Sequence, residues 1–214
     1  MKPILKFSLL LCLLLIVIAL FLFYKVDLSN DYAISKRSIR LFSMLIVGCS
    51  VAYSSIIFQT ITNNRILTPS IMGYEAIFIL FQTLIVFIYG DRAFQVINQQ
   101  ENFVYAVVLM LGFSLLIYFL MFGKDKKSMY YLLLTGMVFG TLFMTMSQFL
   151  HVLIDPNEFS MVQNFMFVSF AKMNTKLLSI AAITMLAAIT YISFNLRYLD
   201  VIALGKDHAI NLGV

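Results

Sequence analysis

The sequence predicts an all-α, polytopic membrane protein of about six spans, and three observations predict it. Hydrophobic residues make up 62% of the 214 and charged residues 12%, against about 45–50% and about 25% in soluble domains. Mean hydropathy is +0.95. The apolar residues fall into six runs, each near the length of about 20 residues that a membrane helix needs. Only helices or closed barrels satisfy the backbone in lipid, and the alternation of a barrel strand is absent. This composition excludes a soluble globular enzyme, a disordered chain and a secreted disulfide scaffold.

The first run, residues 5–24, follows Lys2 and Lys6. It is long for a signal peptide and no small-residue cleavage site follows it, so it reads as an uncleaved span. Leu10 and Leu11 before Cys12 speak against a lipoprotein signal. Residues 25–36 form a polar loop. The second run, 38–61, carries Gly48, Ser50, Ser54 and Ser55. A polar turn at 62–70 holds Asn63, Asn64, Arg65 and Pro69, and Pro69 blocks immediate helix continuation. The third run is 71–89, followed by a polar stretch at 91–102. The fourth, 103–122, ends in the charged turn Lys124-Asp125-Lys126-Lys127, and the fifth is 130–153. Residues 155–176 read as a mixed connection with a short apolar piece at 165–170. The sixth run is 177–194, and the tail, 195–214, is polar enough to leave the bilayer.

Net charge is +5, from 15 Lys and Arg against 10 Asp and Glu. In a polytopic protein such an excess records topology rather than nucleic-acid binding. A cytoplasmic N-terminus puts eight basic residues inside and seven outside. The weak bias has a local cause: Lys25, Lys36, Arg37 and Arg40 crowd the outer side before the second span. Cys12 and Cys49 lie in apolar runs and suggest neither a disulfide nor a metal cluster. No Gly-rich phosphate loop occurs, so any ATP would be bound by another subunit.

Four groups of residues stand out. Arg37 and Arg40 share a helical face at the outer mouth of the second span. They read either as snorkelling anchors or as an exposed pair that captures carboxylates on a protein partner. The stretch from Gln59 to Gly73 is a helix end, a turn and a new helix start. It includes Asn64 and Pro69, and Gly73 allows close packing. Glu75, just beyond, is an interfacial carboxylate or faces a polar path. The tail from Leu199 to Val214 reads as two short amphipathic segments hinged at Gly205, with Leu199, Ile202 and Ala203 on one stripe and Ala209 and Leu212 on another. These could lie on the membrane, dock in a groove of a cytoplasmic partner or fray. Gly136 and Gly140 make a small-xxx-small face that permits close helix approach. His151 and His208 read as interfacial or loop residues, and no nucleophile–base pair emerges.

Taken together, these groups resemble the permease subunits of bacterial ABC importers for iron–siderophores, haem and cobalamin. That family has Arg-x-Pro-Arg before its second helix, here Arg37-Ser38-Ile39-Arg40. Gly48 and Gln59 match its Gly and Gln in that helix. Its following Asn-Pro-Leu-Ala-Asp-Pro and Leu-Gly are held by Asn64, Pro69, Met72 and Gly73, with departures at Arg65, Leu67 and Thr68. Leu204, Gly205, Ala209, Leu212 and Gly213 match its Leu-Gly-x-x-x-Ala-x-x-Leu-Gly. The segment from Phe165 to Leu178, with Asn174-Thr175 and Leu177-Leu178, looks closest to permeases for catecholate-type siderophores.

The resemblance implies a single transmembrane permease domain over 1–214, with a cytoplasmic coupling segment at 199–214, in the bacterial cytoplasmic (inner) membrane. Arg37 and Arg40 would dock acidic residues of an extracytoplasmic siderophore-binding protein. Leu204, Gly205, Ala209, Leu212 and Gly213 would engage a separate ATP-binding subunit. A second permease chain, identical or different, would complete the pore. The implied protein is a transporter for iron–siderophore, not an enzyme, with no cofactor, no metal ligands and no nucleic acid. The alternatives are a non-transporting membrane scaffold or sensor, or the same family importing haem or cobalamin. Family members usually have about ten spans, and the expectation is an N-terminal portion unable to transport by itself.

Overall fold

The computed structural model describes residues 3–25, 31–65, 67–122, 129–167, 170, 173–205, 208 and 211–212. The described residues form helices α1 (Pro3–Phe23), α2 (Asp31–Thr62), α3 (Tyr74–Tyr89), α4 (Ala93–Val96), α5 (Gln99–Phe122), α6 (Met129–Leu153), α7 (Pro156–Met166), α8 (Thr175–Phe194) and α9 (Leu196–Ala203). Short 3-10 turns lie at Pro69–Met72 and Gly90–Arg92. Six of these helices, α1, α2, α3, α5, α6 and α8, have the length and apolarity to cross a membrane. They coincide with the six runs of the sequence. The helices divide between two compact units: Met1–Val51 with Ser169–Met185, and Ala52–Val168 with Leu186–Val214.

In the first unit, α1 is apolar all round and none of its described side chains is buried, as expected of a helix whose faces meet lipid. The helical part of α2 starts at Asp31, seven residues before the expected boundary. Residues 31–36 are of mixed polarity and contain no Pro or Gly, and Asp31 in the first turn complements the helix dipole. Arg37 and Arg40 therefore sit inside the helix rather than at its mouth. Cys12 and Cys49 are both free thiols.

In the second unit, α3 is the central element and packs against α5, α6 and α7. Ala76, Ile79, Leu80, Gln82, Thr83 and Val86 are buried along it. Met72, Phe113 and Ile117 form one core cluster, flanked by Phe58, Tyr74, Phe139 and Phe143. The Phe113 ring meets those of Tyr74 and Phe143 edge-on at 5.5 Å, and that of Phe139 at 6.1 Å. Such offset aromatic contacts supply dispersion where lipid offers no hydrophobic contrast.

Two connections hold more helix than their polar composition suggested. Residues 91–102 contain α4 and the start of α5, where the Asn98 amide donates to Glu101 Oε2 at 2.9 Å, one half of a capping box. Residues 155–176 contain α7. Asp155 caps it by accepting from the Asn157 amide at 2.9 Å, and Pro156 occupies the first helical position. Val162 of α7 is wholly buried against Val86, Ala93 and Ile154, and that anchor stabilises a helix too short to persist alone. Asp155→Ala is expected to cost about 1 kcal/mol by loss of the cap, read as a lowered unfolding temperature in detergent.

Candidate functional site

The turn between α2 and α3 is built residue by residue from the sequence. Asn63 has a left-handed backbone, φ 48°. Its amide donates to the Thr60 carbonyl at 3.2 Å, and the Asn64 amide to the Gln59 carbonyl at 3.1 Å. This pair of bonds is a Schellman motif, with asparagine taking the place glycine usually holds. Gln59 and Asn64, expected to belong to one motif, are thus joined through the backbone. Pro69 then opens the 3-10 turn, and Gly73, at φ 83°, ends it and leads into α3.

Gly73 meets the glycine pair of α6. A Cβ on Gly73 would stand 2.7 Å from the Gly140 Cα, and one on Gly136 would stand 2.8 Å from the Met72 Cα. Gly140 faces the Gly73 Cα, with a Cβ there 3.1 Å away. The small-xxx-small face is therefore a seam within the chain, binding α6 to the turn that precedes α3. Beside the seam lies a shallow groove of about 410 Å³, lined by Ser70, Glu75, Met137, Thr141 and Met144 among others. Glu75 is exposed on its edge.

A buried polar cluster lies further along the same helices. Thr83 Oγ1 is 2.9 Å from Ser147 Oγ and 3.0 Å from His151 Nε2, and Ser147 Oγ is 3.2 Å from that nitrogen. Thr83 and Ser147 are wholly buried. One helical step away, the Gln82 and Asn102 side-chain amides exchange hydrogen bonds at 3.1 and 3.2 Å. The sequence reading missed this cluster and placed His151 at an interface or in a loop. His151 lies in the last turn of α6, half-buried, and the four-residue spacing from Ser147 puts both on the face that meets α3. The available signal was polar side chains inside apolar runs, which in membranes find partners on neighbouring helices.

Each pair has a distinct cost of removal. Thr83→Val leaves Ser147 and His151 hydrogen-bonded to each other, and is expected to cost about 0.6 kcal/mol, as membrane interhelical bonds do. Gln82→Leu orphans the Asn102 amide and should cost more, about 1–3 kcal/mol. Thermal unfolding of the two variants in one detergent checks the order.

Arg37 is the best-connected cation in the first unit. Its Nη1 donates to the Phe21 and Tyr24 carbonyls, both at 2.9 Å. Phe21 lies in the last turn of α1 and Tyr24 just beyond its end, where carbonyls lack intrahelical partners. Lys25 follows with φ 51°, a left-handed conformation that costs a side-chain-bearing residue about 1–2 kcal/mol. Arg40, half-buried, has no side-chain hydrogen bond or ion pair among the described residues. The Lys36 ammonium stands 5.5 Å from the Tyr32 ring centroid.

The tail begins as α9, three residues earlier than the expected stripe. Leu199 and Ile202 are half-buried and Ala203 is exposed. Gly205, at φ 102°, follows α9 in a conformation that glycine adopts readily. Leu204 and Leu212 are exposed. Ala209 and Gly213 lie outside the described residues. A groove of about 630 Å³ runs along α9, lined by Ser193, Phe194, Arg197, Tyr198 and Val201. Among the described residues, no group of three or more His, Cys, Asp or Glu could hold a metal ion.

This arrangement of helices has a known counterpart. It matches 99% of the chain to 67% of the chain of a metal-chelate type ABC transporter solved in an inward-facing conformation, with a TM-score of 0.77 and 23% sequence identity. The fold is thus that of an ABC transporter permease. The chain belongs to the FecCD transport family, whose model matches residues 4–214. It is 45% identical, over its whole length and 68% of the relative's, to the petrobactin import system permease protein YclO of Bacillus subtilis. It is 30% identical, over 85% of its length, to the petrobactin import system permease protein FatC of Bacillus anthracis. The chain spans about two thirds of the first relative and about half of the second. Both relatives are transport permeases rather than enzymes.

Proposed function

We propose that the chain is a permease subunit of an ATP-driven importer that carries iron bound to petrobactin, or to a siderophore like it, across the cytoplasmic membrane. The observation that carries this reading is 45% identity to a petrobactin permease along the entire chain. The fold supports it, and the sequence carries no Gly-rich phosphate loop, so in this reading a separate ATP-binding subunit supplies ATP hydrolysis. The N-terminus is cytoplasmic in this reading. The turn at Pro69–Gly73 and the tail then face inward, and the α1–α2 connection faces out.

The parts have matching roles. The basic group around Arg37 and Arg40 receives carboxylates of an extracytoplasmic siderophore-binding protein. The tail, through Leu204, Gly205, Ala209, Leu212 and Gly213, sits against the ATP-binding subunit, and closure of that subunit moves it. A second permease chain completes the translocation path. Deleting the coding region from its host and following uptake of radioactive iron as ferric petrobactin tests the reading. Uptake should fall to background and return with the gene; undiminished uptake argues for another cargo.

Gly205 carries a further expected result. Gly205→Val places a branched side chain at φ 102°, where such residues are outliers. In membranes holding the assembled importer, siderophore-stimulated ATP hydrolysis should drop while the amount of assembled complex changes little.

A further inference from the structure

The two arginines of the docking group are not equivalent. We propose that Arg37 is a positioning residue that caps α1, and that Arg40 is the arginine a partner carboxylate reaches. The second half of this assignment rests on the docking reading above; the first half stands on the hydrogen bonds alone.

The last turn of a helix presents carbonyls at the negative end of its dipole. Helices commonly close this turn with a left-handed glycine. Here the left-handed residue is Lys25, φ 51°, which gains nothing from that backbone by itself. Arg37 compensates from α2, with Nη1 on the carbonyls of Phe21 and Tyr24 at 2.9 Å each. A guanidinium on two carbonyls is a charge-assisted, geometrically fixed interaction. Drawing Arg37 away to meet a partner would break both bonds. The clamp is therefore kept only if docking does not require that nitrogen.

Arg40 has the opposite environment. It lies three residues on, on the same side of α2, with no side-chain hydrogen bond or ion pair among the described residues. None of its five donors is engaged among the described residues, and a carboxylate can be met by two of them at once. Lys36 adds positive charge nearby without a fork to match. The pattern of two arginines three apart thus encodes one internal bond and one external one.

The experiment compares Arg37→Gln, Arg40→Gln and the double variant Arg37→Gln/Lys25→Gly in the full chain with its assembled importer in nanodiscs. Two readouts are taken: amide hydrogen exchange in α1 around residues 20–25, and the affinity of the host's siderophore-binding protein, loaded with ferric petrobactin, across a salt series. Arg37→Gln should speed exchange in that segment about tenfold by opening the last turn. Adding Lys25→Gly should restore most of the protection, because glycine removes the backbone cost the clamp offsets. Arg40→Gln should leave exchange at the wild-type rate, lower affinity about tenfold or more and flatten its salt dependence. Arg37→Gln should keep the wild-type salt dependence. Unchanged exchange in Arg37→Gln overturns the clamp. A flattened salt dependence in Arg37→Gln but not in Arg40→Gln overturns the division of roles. Faster exchange in Arg37→Gln, with docking unaffected by either variant, upholds the clamp and refutes the docking reading alone.

Discussion

Gly73→Ala is expected to prevent the second unit from packing. Two costs coincide at this residue. Its φ of 83° is left-handed, which an alanine adopts at about 1–2 kcal/mol. Its new Cβ would stand 2.7 Å from the Gly140 Cα, and backbone cannot swing aside as a side chain can. Overpacking adds about 1–3 kcal/mol, so the sum approaches the whole stability of a small domain at the low end of about 5 kcal/mol. Gly140→Ala should be milder, since its Cβ meets the Gly73 Cα at 3.1 Å and a few tenths of an ångström of relief suffice. Gly136→Ala falls between them, with contact at 2.8 Å to the Met72 Cα but ordinary helical backbone. Folded yield in detergent, followed by gel filtration and thermal unfolding, should rank the three in that order. Equal stability of Gly73→Ala and wild type would refute the seam as a structural constraint.

Reversing charge at Arg40 is the second large effect. Arg40→Glu replaces the uncommitted guanidinium with a like charge to the carboxylate it would meet. Loss of a paired charge at an interface costs about 2–5 kcal/mol, and like-charge juxtaposition adds to that. Docking of the siderophore-binding protein should therefore weaken by about 100-fold or more at low salt. The deficit should shrink as ionic strength rises and the Debye length contracts. Titration by light-scattering interferometry on nanodisc-held importer reads both quantities. Docking within twofold of wild type at every salt concentration would remove Arg40 from the interface.

The seam explains why two features that look independent in the sequence belong together. The stretch from Gln59 to Gly73 reads as a turn, and Gly136 with Gly140 reads as a generic packing face. The structure joins them, and the glycine spacing is then accounted for inside one chain with no need of a second copy. The same holds for the polar residues of the spans. Gln82 and Asn102, or Thr83 with Ser147 and His151, are separated by 20 to 68 residues and carry no shared local pattern. Only the placement of α3, parallel to α6 and antiparallel to α5, shows that each has its partner.

Boundaries were least legible where polar residues are also good helix formers. Asp31 to Lys36 look like a loop because charged residues flank them, yet no glycine or proline stops a helix there, and α2 extends through them. In 155–176 the helix signal was present in Asp155-Pro156, an N-cap followed by a first-turn proline, but it was outweighed by the mixed composition after it.

The sequence by itself determined the solvent and the number of membrane-spanning helices. Backbone polar groups cannot go unpaired in lipid, so six long apolar runs admit six helices and little else. It also determined the permease family, because Arg37 to Arg40, Gln59 to Gly73 and Leu204 to Gly213 stand in the family's order. Tertiary structure alone decided what those residues touch: Arg37 on the end of α1, Gly73 against Gly140, and His151 with Thr83 and Ser147. The physical reason is that insertion into a membrane depends on a sum over each local segment, whereas helix-to-helix contact in lipid depends on steric fit and hydrogen bonds between residues distant in the chain.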